Sequence, residues 1–171
     1  MITYRIDAED VHAHLFRVTL RVPNPAAQQK LSLPVWIPGS YLVREFARHL
    51  SDLRATQGGE PIALQQLDKA SWLASCSGRA ELVVSALVYA FDTSVRAAFL
   101  DASRGFFNGT GLCLRVEGRE DEPHRIQTGT LPRGWQVATA MRAIKVDAAG
   151  RGLYEAAGYD ELVDHPFELG T

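Results

Sequence analysis

The run from Ala80 to Phe91 constrains the fold more than any other stretch. Its apolar residues fall on both sides of a two-residue alternation, with Val83, Leu87, Tyr89 and Phe91 on one side and Leu82, Val84, Ala86, Val88 and Ala90 on the other. β-branched and aromatic residues at period two predict a strand, and apolar groups on both faces predict a central strand covered on both sides. Ser85 interrupts the run, which is about half of the ~20 residues a helix needs to cross a bilayer, so it is not read as a membrane span.

The rest of the chain reads as short extended pieces separated by turn residues. Phe16, Val18, Leu20 and Val22 alternate with Arg17, Thr19 and Arg21, a half-buried strand that Pro23-Asn24-Pro25 stops. Leu31 to Val35 is a second apolar run. Gly58-Gly59-Glu60-Pro61 predicts a reversal, followed by strands through Ile62, Leu64 and Leu67 and through Ser71-Trp72-Leu73. Val95 to Leu100 is a further extended piece. Asn108-Gly109 carries the residue pair most suited to a tight hairpin, since both residues accept positive φ, and Leu112 to Val116 leaves it as a strand. Ile126 to Leu131 and Trp135 to Met141 are joined by Pro132-Arg133-Gly134. Tyr159 to Asp164 predicts one helical turn before Pro166. Residues 42–53 satisfy both a helical and an alternating pattern, and both readings stay open. About ten short strands with one or two helical turns predict an all-β antiparallel sandwich forming a single domain over residues 1–171.

Composition excludes several function classes. Eighteen basic and 20 acidic residues give a net charge of −2 with neither sign gathered into a run, so neither nucleic acid nor a membrane is expected as a partner. Cys76 and Cys113 do not make a disulfide framework and read as reduced thiols. Met1 to Asp7 alternates polar and apolar residues without a basic-then-apolar leader, from which a cytoplasmic location is expected.

Between the extended pieces lies an aromatic corner, residues 33–46. Pro34 and Pro38 bar it from a helix interior or a central strand, and Pro38-Gly39 predicts a type II turn with Ser40 and Tyr41 beyond it. Trp36, Tyr41 and Phe46 flank the bend, a large ring load that demands burial against its own domain or a neighbour. Catalytic patterns are missing. No pair of histidines sits one helical turn apart beside a glutamate. His12 and His14, two apart on a strand-like segment, share a face and read as surface histidines, while His49, His124 and His165 stand apart from metal-ligand partners. Ser40 lacks the glycine-serine-glycine elbow of a serine hydrolase, and the glycines near Gly105 and Gly109 lack the lysine of a phosphate loop.

Several motifs in one order nevertheless point to a family. Residues 33–49, Asp68-Lys69 with Trp72, Asp92 to Arg96, Asp101 with Arg104 to Gly109, Gly134 to Thr139, and Tyr159 to Pro166 with Glu168 and Gly170 resemble the N-terminal domain of the PDZ-containing glycyl aminopeptidases, which are similar to thermolysin-like zinc metallopeptidases. The resemblance implies a non-catalytic β-sandwich domain that packs on a zinc-bearing catalytic domain and helps wall the pocket for the substrate's free N-terminus. It places the zinc, the catalytic domain and the PDZ domain outside this chain. No cofactor, no metal ligand and no catalytic residue is then expected here, and the partners are the catalytic domain and the parent enzyme's peptide substrate. By the same analogy Trp36, Ser40, Tyr41, Arg44, Phe106 and Asn108 are substrate-proximal or interfacial, and Asp160, Asp164 and Pro166 set the exit into the next domain. A free-standing β-sandwich module that binds peptide or carbohydrate through its aromatic corner is the alternative.

Overall fold

A computed structural model of the chain describes residues 1–36, 41 and 43–171. In the first half the strands are β1 Ile2–Asp10, β2 Leu15–Val22, β3 Gln28–Ser32, β4 Leu50–Gln57, β5 Glu60–Ile62, β6 Leu64–Asp68, β7 Ser71–Ser75 and β8 Leu82–Tyr89. In the second half they are β9 Phe99–Leu100, β10 Arg104–Phe107, β11 Arg115–Val116, β12 His124–Thr128, β13 Gln136–Ala138, β14 Arg142–Val146, β15 Gly152–Ala156 and β16 Phe167–Gly170. Two short helices, α1 Gly109–Leu112 and α2 Tyr159–Asp164, and a 3-10 turn at Phe46–His49 complete the described elements. The expected all-β sandwich is the observed architecture.

One sheet holds eight strands in the order β14-β15-β12-β1-β2-β8-β4-β5, and two four-stranded sheets run β13-β16-β10-β9 and β11-β3-β7-β6. Within the large sheet β1 and β12 pair in parallel, Tyr4 opposite Ile126, while β1–β2 and β2–β8 are antiparallel. The registers align Ile126, Tyr4, Leu20 and Val84 on one face, and all four are buried. Both small sheets feed the same core: Phe107 on β10 meets Phe16 edge-on at 5.6 Å and stacks on Phe167 at 4.9 Å, while Leu31 and Trp72 enter from the other sheet. Gly105 is needed at this junction, because a Cβ there would lie 3.1 Å from Leu169 Cδ1 and 3.3 Å from both Leu100 and Phe16.

Several local expectations are corrected. The Leu82–Tyr89 strand is central, flanked by β2 and β4, but it is covered on one face only: Val83, Ser85 and Leu87 are half-buried and Tyr89 is exposed. The small sheets pack on the opposite face, and the outward one carries ion pairs such as Arg17–Glu9 at 3.0 Å and Arg21–Glu81 at 2.7 Å. Asn108-Gly109 makes no hairpin. Asn108 is extended, with φ −101° and ψ 145°, and starts α1, so neither residue uses its tolerance of positive φ. The strand expected from Leu112 to Val116 shrinks to Arg115–Val116, and that from Val95 to Leu100 shrinks to Phe99–Leu100. His12 and His14 lie in the turn between β1 and β2 and not on a strand, His14 with φ 59°. Of residues 42–53, the described part, 43–53, holds both open readings in succession, the 3-10 turn and then β4. The reversal at Gly58-Gly59 is present, both glycines at positive φ as a tight antiparallel hairpin requires. The Pro38-Gly39 bend lies outside the described residues.

Candidate functional site

The described residues of two segments, 33–36, 41 and 43–46 after β3 and 90–98 after β8, meet at one end of the molecule and carry much of its exposed apolar surface. Trp36 is 55% exposed, Val43 71% and Val95 76%, and Tyr41 is fully exposed. Single exposed apolar side chains are ordinary, whereas these gather on neighbouring loops. Main-chain amides bond within each of these segments. The Arg44 amide donates to Val35 O at 2.6 Å, Asp92 N to Ala98 O at 3.1 Å, and Ser94 N to the Asp92 carboxylate at 2.8 Å. The Asn108 side-chain amide donates to Val95 O at 2.5 Å, which ties the second loop to the start of α1.

On one side of the 92–97 loop a cavity of about 740 Å³ opens, lined by Trp36, Val95, Asn108, Arg115, Asp160 and Asp164 among others. Its floor is built from α1 and α2. These helices approach so closely that a Cβ on Gly109 would sit 3.0 Å from Leu162 Cδ2 and 3.1 Å from the Val163 backbone. α2 is anchored by Tyr159, whose buried hydroxyl donates to Cys113 O at 2.6 Å. The Glu161 carboxylate reaches back to accept from Ala157 N at 2.5 Å, satisfying a donor just before the helix. Arg115 lies across this floor with its guanidinium 5.6 Å from the centre of the Tyr159 ring. Its Nε is sealed from solvent without a hydrogen-bond partner. Among the described residues no carboxylate comes within ion-pair distance of Arg115, although Asp160, Glu161 and Asp164 share the cavity.

On the other side of the loop lie two adjoining clefts of about 250 and 360 Å³ that share Phe46, Arg48, His49, Asp92 and Ala97. Arg44 and Arg96 line the first; Tyr89, Phe91 and Phe99 line the second. A row of rings forms its wall. His49 lies 6.4 Å from Tyr89, Tyr89 6.1 Å from His14, His14 3.9 Å from Phe91, and Phe91 5.3 Å from Phe99, which the Arg104 guanidinium covers at 4.8 Å. His14 is held by a 2.6 Å bond between Nδ1 and Leu100 O. Burial, with the neighbouring Arg48 charge, pushes the His49 pKa below the ordinary imidazole value. Arg48 Nε donates to His49 Nε2 at 3.2 Å, so that nitrogen presents a lone pair and the proton of the neutral ring sits on Nδ1.

The structure brings together four of the residues singled out from sequence, since Trp36, Asn108, Asp160 and Asp164 line the single 740 Å³ cavity. Arg44 lines the neighbouring cleft, and Tyr41 projects into solvent. Ser40 lies outside the described residues. Phe106 is half-buried on β10, paired across to Phe99 and Glu168, and does not line the cavity. Pro166 is exposed and leads into β16, which pairs between β10 and β13. Sequence reasoning missed Arg115 and the ring row; the approach of Tyr89 and Phe91 at the end of the apolar run was the one signal for the row. Among the described residues no three His, Cys, Asp or Glu side chains converge as metal ligands. What the arrangement offers is recognition: exposed rings between two charged recesses.

The model of one protein family, described as the peptidase M61 N-terminal domain, matches residues 3–171. A solved structure of an aminopeptidase N family protein from Idiomarina loihiensis superposes with a TM-score of 0.96 at 41% identity, over 99% of this chain and 29% of that one. Two structures of a variant M1 zinc metallopeptidase from Deinococcus radiodurans, one bound to a Tyr-Ser-Ala substrate, share the fold at TM-scores of 0.52 and 0.55 with 12% and 8% identity. They align over 99% of this chain and 41% of theirs, so the chain spans well under half the length of each of these structures. No curated protein matches it.

Proposed function

The chain belongs to the peptidase M61 N-terminal domain family, and on that premise we propose that it is the non-catalytic N-terminal domain of a zinc-dependent aminopeptidase of the PDZ-containing glycyl type. It packs on the catalytic domain through the loop end that carries Trp36, Tyr41, Val43 and Val95, and its 740 Å³ cavity helps wall the space around the substrate's free N-terminus. The observation that carries this reading is the concentration of exposed apolar side chains on that end, where the core beneath is otherwise sealed. The zinc is assigned to the catalytic domain by analogy with the M1 zinc metallopeptidase that shares the fold. The domain contributes position and shape, and the chemistry happens on its neighbour. The expected location remains the cytoplasm.

The test is amide hydrogen exchange on the peptidase polypeptide that contains this domain, compared with the 171-residue chain alone. Protection gained at residues 41–49 and 92–98 supports docking; equal exchange in both overturns it. The ring row with its two exposed members, Tyr89 and Phe91, favours one competitor, a free-standing module for peptides or glycans. Saturable binding of a peptide or glycan by the 171-residue chain alone would establish that competitor instead.

A further inference from the structure

The two recesses on the loop end carry opposite charge, and the 92–97 loop is the partition between them. Val95 faces the cavity while Ser94 and Arg96 face the cleft. In the cavity three carboxylates, from Asp160, Glu161 and Asp164, stand against one guanidinium, Arg115. In the first cleft Arg44, Arg48 and Arg96 stand against Glu45 and Asp92, and the Glu45 carboxylate is already shared with Lys69 at 3.4 Å. No carboxylate lies within ion-pair distance of Arg48 or Arg96, and no cation within that distance of Asp160 or Asp164, among the described residues. Arg48 and Arg96 on one side and Asp160 and Asp164 on the other are therefore available to a partner, with the exposed apolar side chains of Val43 and Val95 beside them.

A face of this kind specifies orientation. Complementary charges set specificity more than raw affinity, and juxtaposed like charges are penalised, so a bipolar face accepts its partner one way round. We propose that the occupant is the remainder of the same peptidase polypeptide, docked with an acidic surface against Arg48 and Arg96, basic side chains against Asp160 and Asp164, and an apolar strip over Trp36 and Val95. This rests on the docking reading above and adds the partner's chemistry and its orientation. The superposed Idiomarina structure extends well beyond the aligned part, 29% of its chain, so that relative has further polypeptide that could cover the corresponding face.

The experiment is hydrogen exchange on the full peptidase polypeptide with three variants. One is Arg48→Glu with Arg96→Glu, the second Asp160→Asn with Asp164→Lys, and the third the control Arg48→Lys with Arg96→Lys. All four positions are exposed, and among the described residues only Arg48 of the four makes a side-chain hydrogen bond, to His49, so the fold tolerates the changes. Asp160 is made neutral and not basic because a cation in the first helical turn is disfavoured by the helix dipole. The expected result is at least a tenfold faster exchange at residues 41–49 and 92–98 in each of the first two variants, with the control unchanged. Wild-type protection that survives both variants overturns the charge pattern and leaves docking standing; a wild-type face without protection overturns docking itself. A 171-residue chain that dimerises through this face, seen by sedimentation with the same segments protected, assigns it to a second copy and overturns the proposed occupant.

Discussion

The interior around β1, β12 and α2 and the open loop end differ in how their polar groups are satisfied. In the interior Tyr4, stacked 6.1 Å from His124, donates its hydroxyl to Leu114 O at 2.6 Å, and Tyr159 does the same to Cys113 O. His124 is fully buried and bonds Glu122 O through Nδ1 at 2.6 Å. Two tyrosines thus pin one extended segment from opposite sides, and of the His124 ring only Nε2 lacks a partner. At the loop end the reverse holds. Rings stand in solvent, and among the described residues Arg48 and Arg96 line the cleft with no carboxylate within ion-pair distance. The contrast is the one on which the proposed docking face rests.

Truncation in the interior gives the largest expected effect. Phe107→Ala removes a buried ring packed on Phe16 and Phe167 and should destabilise the 171-residue chain by about 3–5 kcal/mol. Urea unfolding measures it, and a loss under about 1 kcal/mol would mean the two sheets are not tightly packed there. Tyr159→Phe comes next. It leaves Cys113 O buried without its donor at a cost of about 1–3 kcal/mol, and the same titration should show a shifted midpoint with an unchanged m value.

The pH dependence is smaller. Burial holds the His124 pKa below its ordinary value, against the opposing pull of the Glu122 carbonyl, so the folded chain binds fewer protons than the unfolded one just below pH 6.5. Stability is full above that pH and falls as the solution is acidified toward the folded pKa. His49, depressed by burial and Arg48, adds in the same direction. His124→Phe should flatten the decline between pH 6.5 and 5 in thermal unfolding, and a profile that keeps its slope would remove His124 as the cause. The smallest effect belongs to the loop end. Tyr41→Ala and Val43→Ala should each change the stability of the 171-residue chain by no more than about 0.5 kcal/mol, because neither is buried in it. A loss above about 2 kcal/mol would show that these side chains serve the core and erase the contrast.

Much of the strand pattern is legible along the chain because alternation is a local property. β2 and β8 read directly from Phe16 to Val22 and from Leu82 to Tyr89, and the β4–β5 hairpin reads from Gly58-Gly59. β14 escaped because Arg142-Ala-Ile-Lys-Val146 is exposed at all five positions, so no face of it is marked as inward. Asn108-Gly109 misled because turn propensity is weak beside a specific tertiary bond, here the one from the Asn108 amide to Val95 O. The single cover on β8 was illegible for a similar reason. Val83 and Leu87 are apolar whether or not a layer lies over them.

By itself the sequence determined the extended character of the chain, the reversal at Gly58-Gly59 and the family it joins, since each depends on residues near one another or on a linear order of motifs. Which side chains share a recess was decided only by tertiary structure. Trp36, Arg115 and Asp160 are distant in sequence, and they meet because β1 pairs in parallel with β12, which closes the chain on itself, and because α1 and α2 touch through Gly109. The same closure buries His124 between Tyr4 and Tyr159 and leaves an excess of carboxylates on one side of the 92–97 loop and of arginines on the other. Proximity across such sequence separations arises from packing geometry, which no local pattern of residues encodes.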